Sequence, residues 1–215
     1  MGRRILPKLD PAIDFSRHLS ELVELGADFQ PQDWFPRIQP TEVEVGSGKG
    51  LFILNQSGCH PERNYLGIEI SKKYARYAAY RFAEAERENA RMIRGDAQKF
   101  FALFLKDSSV TDVHIYFPDP WWKARHRKRR IVSDSFVEQC VRVLIPGGWL
   151  HFWTDVAEYF QSGCETISQH KELKGPVTEE PIFVDPAAPY HTHFERRMLV
   201  NDHDVFRSKF QKVAS

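Results

Sequence analysis

From residue 41 onward, short apolar runs alternate with segments of helical period. Residues 42–45 (Glu-Val-Glu-Val) read as a strand, 51–56 as a helix and 65–70 (Tyr-Leu-Gly-Ile-Glu-Ile) as a second strand. A longer helix is expected over 71–88, with Ser71 as its N-cap and Tyr74, Tyr77, Ala78 and Arg81 recurring at helical spacing. Residues 91–94 make a third strand, 98–105 a helix and 112–117 a fourth strand. Ser133 or Asp134 caps a helix running to residue 144, which Pro146-Gly147-Gly148 stops. A fifth strand at 149–154, a helix at 158–170 and a last strand at 205–210 complete the pattern, whereas 171–191 follow neither period. The intervals between strands are too long for hairpins and demand crossovers. Right-handed crossovers give an α/β fold with an open, doubly wound, mostly parallel sheet and helices on both faces.

Residues 1–40 stand outside this alternation, with prolines at 7, 11, 31, 36 and 40 and a weakly amphipathic stretch over 15–25. They read as a partly ordered N-terminal arm ahead of a single domain over 41–215. A chain of 215 residues fits one domain and buries about 70% of its unfolded surface. Its net charge of +1 announces no nucleic-acid binder, so any electrostatic footprint must be local. Cys59, Cys140 and Cys164 are odd in number and lack a CxxC pair, which argues against a disulfide framework and a structural zinc site. Arg3 and Arg4 have no apolar segment behind them, and no run long enough to span a bilayer follows. The expectation is a cytoplasmic protein with reduced thiols and no membrane contact.

Ligands of doubly wound sheets bind outside the carboxyl ends of the strands, near the topological switch point. The first five strands place Glu44, Glu69, Asp96, Asp119 and Asp155 at or just past that edge. A glycine turn, Gly46-Ser47-Gly48-Lys49-Gly50, follows the first strand and lets a ligand approach the backbone closely. A dinucleotide fingerprint needs its third small residue at position 51, which is Leu51, so pyrophosphate binding by a nicotinamide dehydrogenase is disfavoured. A ligand with a ribose and no phosphates suits the turn better. Glu69 would accept from ribose hydroxyls, Asp96 from an adenine amine, and Glu44 would face an ammonium. Those are the parts of S-adenosylmethionine, whose positive charge matches an acidic pocket.

The fourth strand runs into a distinctive segment, His-Ile-Tyr-Phe-Pro-Asp-Pro-Trp-Trp-Lys-Ala-Arg-His-Arg-Lys-Arg-Arg over 114–130. Its last eight residues hold six Lys/Arg and one His. Trp121 and Trp122 can stack on bases, while Arg125, Arg127, Lys128, Arg129 and Arg130 can neutralise phosphates.

Together, EVGSGKG (44–50), YLGIEI (65–70), GDA (95–97), FPDPWWKARHRKRR (117–130), TD (154–155) and THFERR (192–197) resemble the bacterial tRNA (guanine-N7-)-methyltransferases. The resemblance covers roughly residues 40–210. It implies a Rossmann-like, mostly parallel seven-stranded sheet of the class I methyltransferase type. It further implies S-adenosylmethionine as cofactor, S-adenosylhomocysteine as product and tRNA as partner. A monomer or homodimer is expected, and no metal, since His191, His193 and His203 lack a carboxylate-His helix motif and methyl transfer needs none. By the same resemblance Glu44, Gly46, Gly48, Glu69, Asp96 and Asp119 line the cofactor site, with Asp119 also catalytic. Lys123, Asp155, Thr192, His193, Phe194 and Glu195 would meet the substrate, guanine 46 of the variable loop. The sequence departs from the family pattern at Trp122, often proline, at Ala124, often basic, and in lacking a usual glycine after Glu195.

Two rival functions arise from the same residues. A methyltransferase acting on an exocyclic amine of an RNA base often carries Asp/Asn-Pro-Pro-aromatic, but Asp119-Pro120-Trp121-Trp122 lacks the second proline. A non-catalytic Rossmann-like RNA-binding module would have little use for a complete set of strand-end carboxylates.

Overall fold

In a computed structural model, residues 6–178 and 192–213 are described. Strand β2 (Thr41–Val45) is buried along its whole length. Val43 and Val45 join the larger apolar cluster, and the alternation of a strand turns Glu42 and Glu44 to the opposite face. On one side β2 pairs in parallel with β3 (Asn64–Glu69), which pairs in parallel with β4 (Ala90–Arg94). On the other it pairs in parallel with β5 (Val110–Tyr116), followed by β6 (Leu144–Thr154). Antiparallel β8 (Phe206–Lys212) and β7 (Leu173–Thr178) extend that side, and parallel β1 (Leu19–Glu21) closes the other. The sheet order is β1-β4-β3-β2-β5-β6-β8-β7. The chain builds outward from β2 to β4 and then returns to β5, so the switch point lies between β2 and β5.

Eight strands therefore stand among the described residues, where seven were expected. The additional edge strand comes from the stretch 15–25, whose amphipathic pattern resolves into 3-10 turns at Ser16–His18 and Leu22–Glu24 around β1. Tertiary contacts hold it extended: Glu21 pairs with Arg94 at 3.0 Å, and His18 Nδ1 lies 3.0 Å from the Ala90 carbonyl oxygen. Leu22 packs against Gly95, where a Cβ would come within 2.4 Å of the leucine.

Helices α1 (Leu51–Cys59) and α2 (Lys72–Glu84) cover one face through Phe52, Ile53, Ala75, Ala78, Ala79 and Phe82. Helices α3 (Ala97–Phe104), α4 (Asp134–Val143) and α5 (Ala157–Ser168) cover the other through Phe100, Phe101, Phe136, Cys140, Tyr159 and Ile167. Helix α2 ends earlier than the apolar period indicates. Glu86 takes φ 53°, its N–H donates to the Ala83 carbonyl, and the Arg87 N–H donates to the Phe82 carbonyl. This is a Schellman closure built on a residue other than the usual glycine. No helix among the described residues is long and apolar enough to cross a membrane.

Gly50, at φ +66°, ends the turn after β2, and a Cβ there would sit 2.8 Å from both Ala78 Cβ and Phe82 Cζ. Gly50→Ala combines left-handed strain with overpacking of α2 and should lower stability by about 2–4 kcal/mol, measured as an earlier urea midpoint at unchanged slope.

Candidate active site

Four adjacent strands, β4, β3, β2 and β5, deliver Asp96, Glu69, Glu44 and Asp119 to one edge, and Asp155 follows at the end of β6. The glycine turn holds its shape by backbone bonds: the N–H groups of Gly46 and Ser47 donate to the Ile68 carbonyl at 2.8 and 3.1 Å. Gly46, Gly48 and Gly50 all take positive φ, which explains the glycine spacing without a pyrophosphate. Glu69 completes the turn. One carboxylate oxygen accepts from the Gly48 N–H at 2.8 Å and the other from the Ser71 N–H at 2.7 Å. Burial raises its pKa, the two N–H groups oppose that, and the charge of Asp119 raises it further.

Glu44 is 4% exposed, and its Oε2 has no hydrogen-bond partner. Burial pushes its pKa up to about 8, against the pull of the Ser47 hydroxyl and with a further push from Glu69. A buried carboxyl oxygen without a partner is costly. A cationic donor of ammonium size answers both the charge and the orphaned oxygen, so the residues fit the amino-acid end of S-adenosylmethionine. Asp96 caps α3, accepting from the Lys99 N–H at 3.2 Å through Oδ1, which leaves Oδ2 for a ligand donor.

Asp119 is exposed in a turn flanked by two left-handed residues, Phe117 at φ 49° and Trp121 at φ 46°. Bulky residues in that region cost on the order of 1–3 kcal/mol each and cluster at functional sites. The two tryptophans separate. Arg129 lies over the Trp121 ring at 5.0 Å and His126 meets its edge, whereas Trp122 is 69% exposed. Beyond Lys123 the basic run forms a 3-10 turn over Ala124–Arg129 with Arg125, Arg127, Lys128 and Arg129 exposed. Arg130, expected among the phosphate contacts, is instead buried against α5.

Of the THFE segment, Thr192 precedes helix α6 (His193–Val200), and its hydroxyl accepts from the Glu195 N–H at 3.0 Å. Glu195 is fully buried and pairs with Arg207 of β8 at 2.8 Å. The Phe194 ring packs at a tilt on that of Phe117, with centroids 4.9 Å apart, which brings α6 to the Asp119 turn. The side chain of His193 lies outside the described residues, as does His191. No group of three or more His, Cys, Asp or Glu placed to hold a metal occurs among the described residues.

A family model described as "Putative methyltransferase" matches residues 38–208. A tRNA (guanine-N7-)-methyltransferase of Rhodopirellula baltica is 45% identical, the match covering 99% of this chain and 80% of that one. Another so named, from Alkalilimnicola ehrlichii, is 35% identical over 83% of this chain and 75% of its own. The chain belongs to the tRNA (guanine-N7-)-methyltransferase family. In fold it is similar to the aminoglycoside resistance methyltransferase NpmB1, with a TM-score of 0.57 at 16% identity over 81% of this chain and 87% of that one.

Ser47 is not among the site residues expected from the sequence. Ser47 is buried and donates to the Glu44 carbonyl at 3.0 Å, a role with no local signature. The Thr192-x-x-Glu195 spacing, by contrast, is the start of a capping box and marks the beginning of α6. In this member the Glu195 side chain pairs with Arg207.

Because the folded pKa of Glu44 lies above the ordinary carboxylate value, the folded state holds its proton more tightly than the unfolded chain does. The associated stability is complete below the unfolded pKa and is lost as pH rises toward about 8. Without ligand, wild type should therefore lose stability relative to Glu44→Gln as pH is raised from about 5 to about 8. Parallel urea titrations at fixed ionic strength measure this; a difference that is flat in pH would show that Glu44 is already ionised.

Proposed function

We infer that this protein transfers the methyl group of S-adenosylmethionine to N7 of a guanine in tRNA, and we propose guanine 46 of the variable loop as the target. The observation that carries the reading is that one strand end, that of β5, presents both the exposed carboxylate of Asp119 near Glu69 and the basic turn Ala124–Arg129. The names of the relatives from Rhodopirellula baltica and Alkalilimnicola ehrlichii support it. We place the enzyme in the cytoplasm, where its tRNA substrate resides, without a requirement for metal.

When bound, S-adenosylmethionine supplies an electrophilic methyl group on a sulfonium. Guanine N7 carries an in-plane lone pair and no proton, so no general base is needed at the attacked atom. The work of the protein is alignment, which can supply on the order of 7–11 kcal/mol. Glu44 would hold the ammonium, Glu69 the ribose hydroxyls and Asp96 the adenine amine of the cofactor. Asp119, with Asp155 beside it in the strand order, accepts from the guanine N1–H and amino donors. The base becomes cationic as the new bond forms, and a carboxylate there favours the transition state over the neutral ground state. Lys123 orients O6 or a phosphate. Trp122, the exposed member of the pair, provides a stacking surface worth about 1–3 kcal/mol per base.

Mapping the product tests the chemistry. Unmodified tRNA treated with this protein and labelled cofactor should become cleavable by borohydride and aniline at one variable-loop guanine. Label without cleavage would instead indicate an exocyclic amine product. Asp119→Ala should lower kcat by about 100-fold or more with the tRNA Kd near wild type, while equal losses in both would remove its catalytic assignment. The Arg127→Ala, Arg129→Ala double variant should weaken binding to all tRNAs alike. It should also reduce the slope of log K against log salt by roughly 0.7–0.9 per lost contact; an unchanged slope would turn this block away from the RNA.

A further inference from the structure

Arg130 closes the basic run in sequence but leaves it in space. It is 8% exposed, and all three nitrogens of its guanidinium donate hydrogen bonds within the protein. Nε donates to the Pro120 carbonyl at 2.9 Å. The two terminal nitrogens donate to the two oxygens of Glu158 on α5, at 3.2 and 2.6 Å. One of them also donates to the Ser162 hydroxyl at 3.2 Å, and the group lies 4.3 Å over the Tyr159 ring. The Tyr159 hydroxyl in turn accepts from the Val132 N–H at 3.3 Å. The same arginine thus grips the residue immediately after Asp119 and the first turns of α5.

The turn it grips needs such a partner. Pro118 and Pro120 have no N–H to donate, so the segment between Phe117 and Trp121 has few backbone donors with which to bind itself to the sheet. Its bracketing residues are both left-handed and persist only where surroundings over-determine them. At its start the Phe117 N–H donates to the Trp153 carbonyl at 2.8 Å; at its end the Pro120 carbonyl is held by Arg130. A planar guanidinium can hold a carboxylate with two parallel bonds while its Nε serves a third acceptor, and a lysine ammonium cannot reproduce that fork.

We propose that Arg130, clamped by Glu158, is a positioning residue for methyl transfer: it fixes the Asp119 turn in its reactive place rather than contacting tRNA phosphates. The inference rests on the assignment of Asp119 to the reaction. It divides the basic run by role, with Arg125, Arg127, Lys128 and Arg129 facing solvent for the RNA and Arg130 facing inward for the carboxylate. Glu158 stands at the division, since Arg127 also approaches it at 3.4 Å.

The test uses the full chain, an unmodified tRNA transcript and S-adenosylmethionine, with Arg130→Lys and Glu158→Gln compared with wild type. Arg130→Lys keeps the charge and loses the fork, and should lower kcat by about 10- to 100-fold, the scale expected of a displaced reacting group. The KM for tRNA and the salt slope of tRNA binding should stay near wild type. Glu158→Gln, on a half-exposed side chain, should fold normally and lower kcat in the same sense by a smaller factor, so it decides the matter if Arg130→Lys does not fold. A raised KM and reduced salt slope at unchanged kcat would make Arg130 a phosphate contact and overturn the proposal. A lowered unfolding midpoint with wild-type kcat in either folded variant would reduce the clamp to general stability and overturn it equally. Absence of N7-methylguanine with the wild-type protein would instead remove the underlying functional reading.

Discussion

Strand β2 carries two glutamates into the middle of a sheet covered on both faces, and the protein treats them in opposite ways. Glu42 is satisfied: Arg63 donates to it at 2.7 Å, and His114 Nε2 lies 2.8 Å away. With its proton on Nε2, His114 can accept from the Tyr116 hydroxyl at 2.8 Å through Nδ1, so one tautomer satisfies both contacts. Burial raises the Glu42 pKa, but His114 and Arg63 more than offset this and bring it below the usual value. Glu44, two residues on, has burial without a counterion, and its pKa goes the other way. One strand thus holds a closed ion-pair site and an open one, and the open one lies at the edge where the sheet binds ligands.

That asymmetry follows from topology. The switch point between β2 and β5 opens the layer at the carboxyl edge, and the strands on either side each bring an acid to it. Toward the amino end of the same strands, Asp112 draws on His151 at 3.3 Å and Arg63 at 3.4 Å, so the carboxylates there are spent within the protein. A buried charge with good partners is structurally complete. Glu44, Glu69, Asp96 and Asp119 at the other edge are only partly engaged, and they form the set we propose for the ligand.

The exit from β5 joins this acidic pocket to a cationic surface within a dozen residues. Opposite charges so close in sequence would collapse onto one another in a flexible loop. Here two left-handed residues, two prolines and the Arg130–Glu158 pair fix the turn between them, with Asp119 near enough to Glu69 to raise its pKa and the 3-10 turn exposed to solvent. Helix α6 closes on the same turn through Phe194 and Phe117, anchored from beneath by Glu195 and Arg207.

Local pattern alone identified β2 to β5, β8 and helices α1 to α5 to within a few residues, because buried strands are short apolar runs and their helices show a clear period. Strand β6 was expected only from Trp149, whereas it starts at Leu144 and takes in the Pro146-Gly147-Gly148 expected as a helix stop. The pattern also placed Glu44, Glu69, Asp96, Asp119 and Asp155 at or just past strand ends, where the structure has them, since strand ends are legible wherever the strand is. Three features were beyond its reach. Strand β1 exists because β4 offers an open edge, and three residues carry no period of their own. Strand β7, with Leu173 alone buried and Pro176 within it, has the polar edge character that hides a strand from pattern reading. The third is the division of the basic block. In sequence Arg130 is one cation among six, and only the packing of α5 beneath the Asp119 turn decides that it faces Glu158 rather than solvent. Residue type fixes what a side chain can bind, but burial and partner are properties of elements that meet from distant parts of the chain.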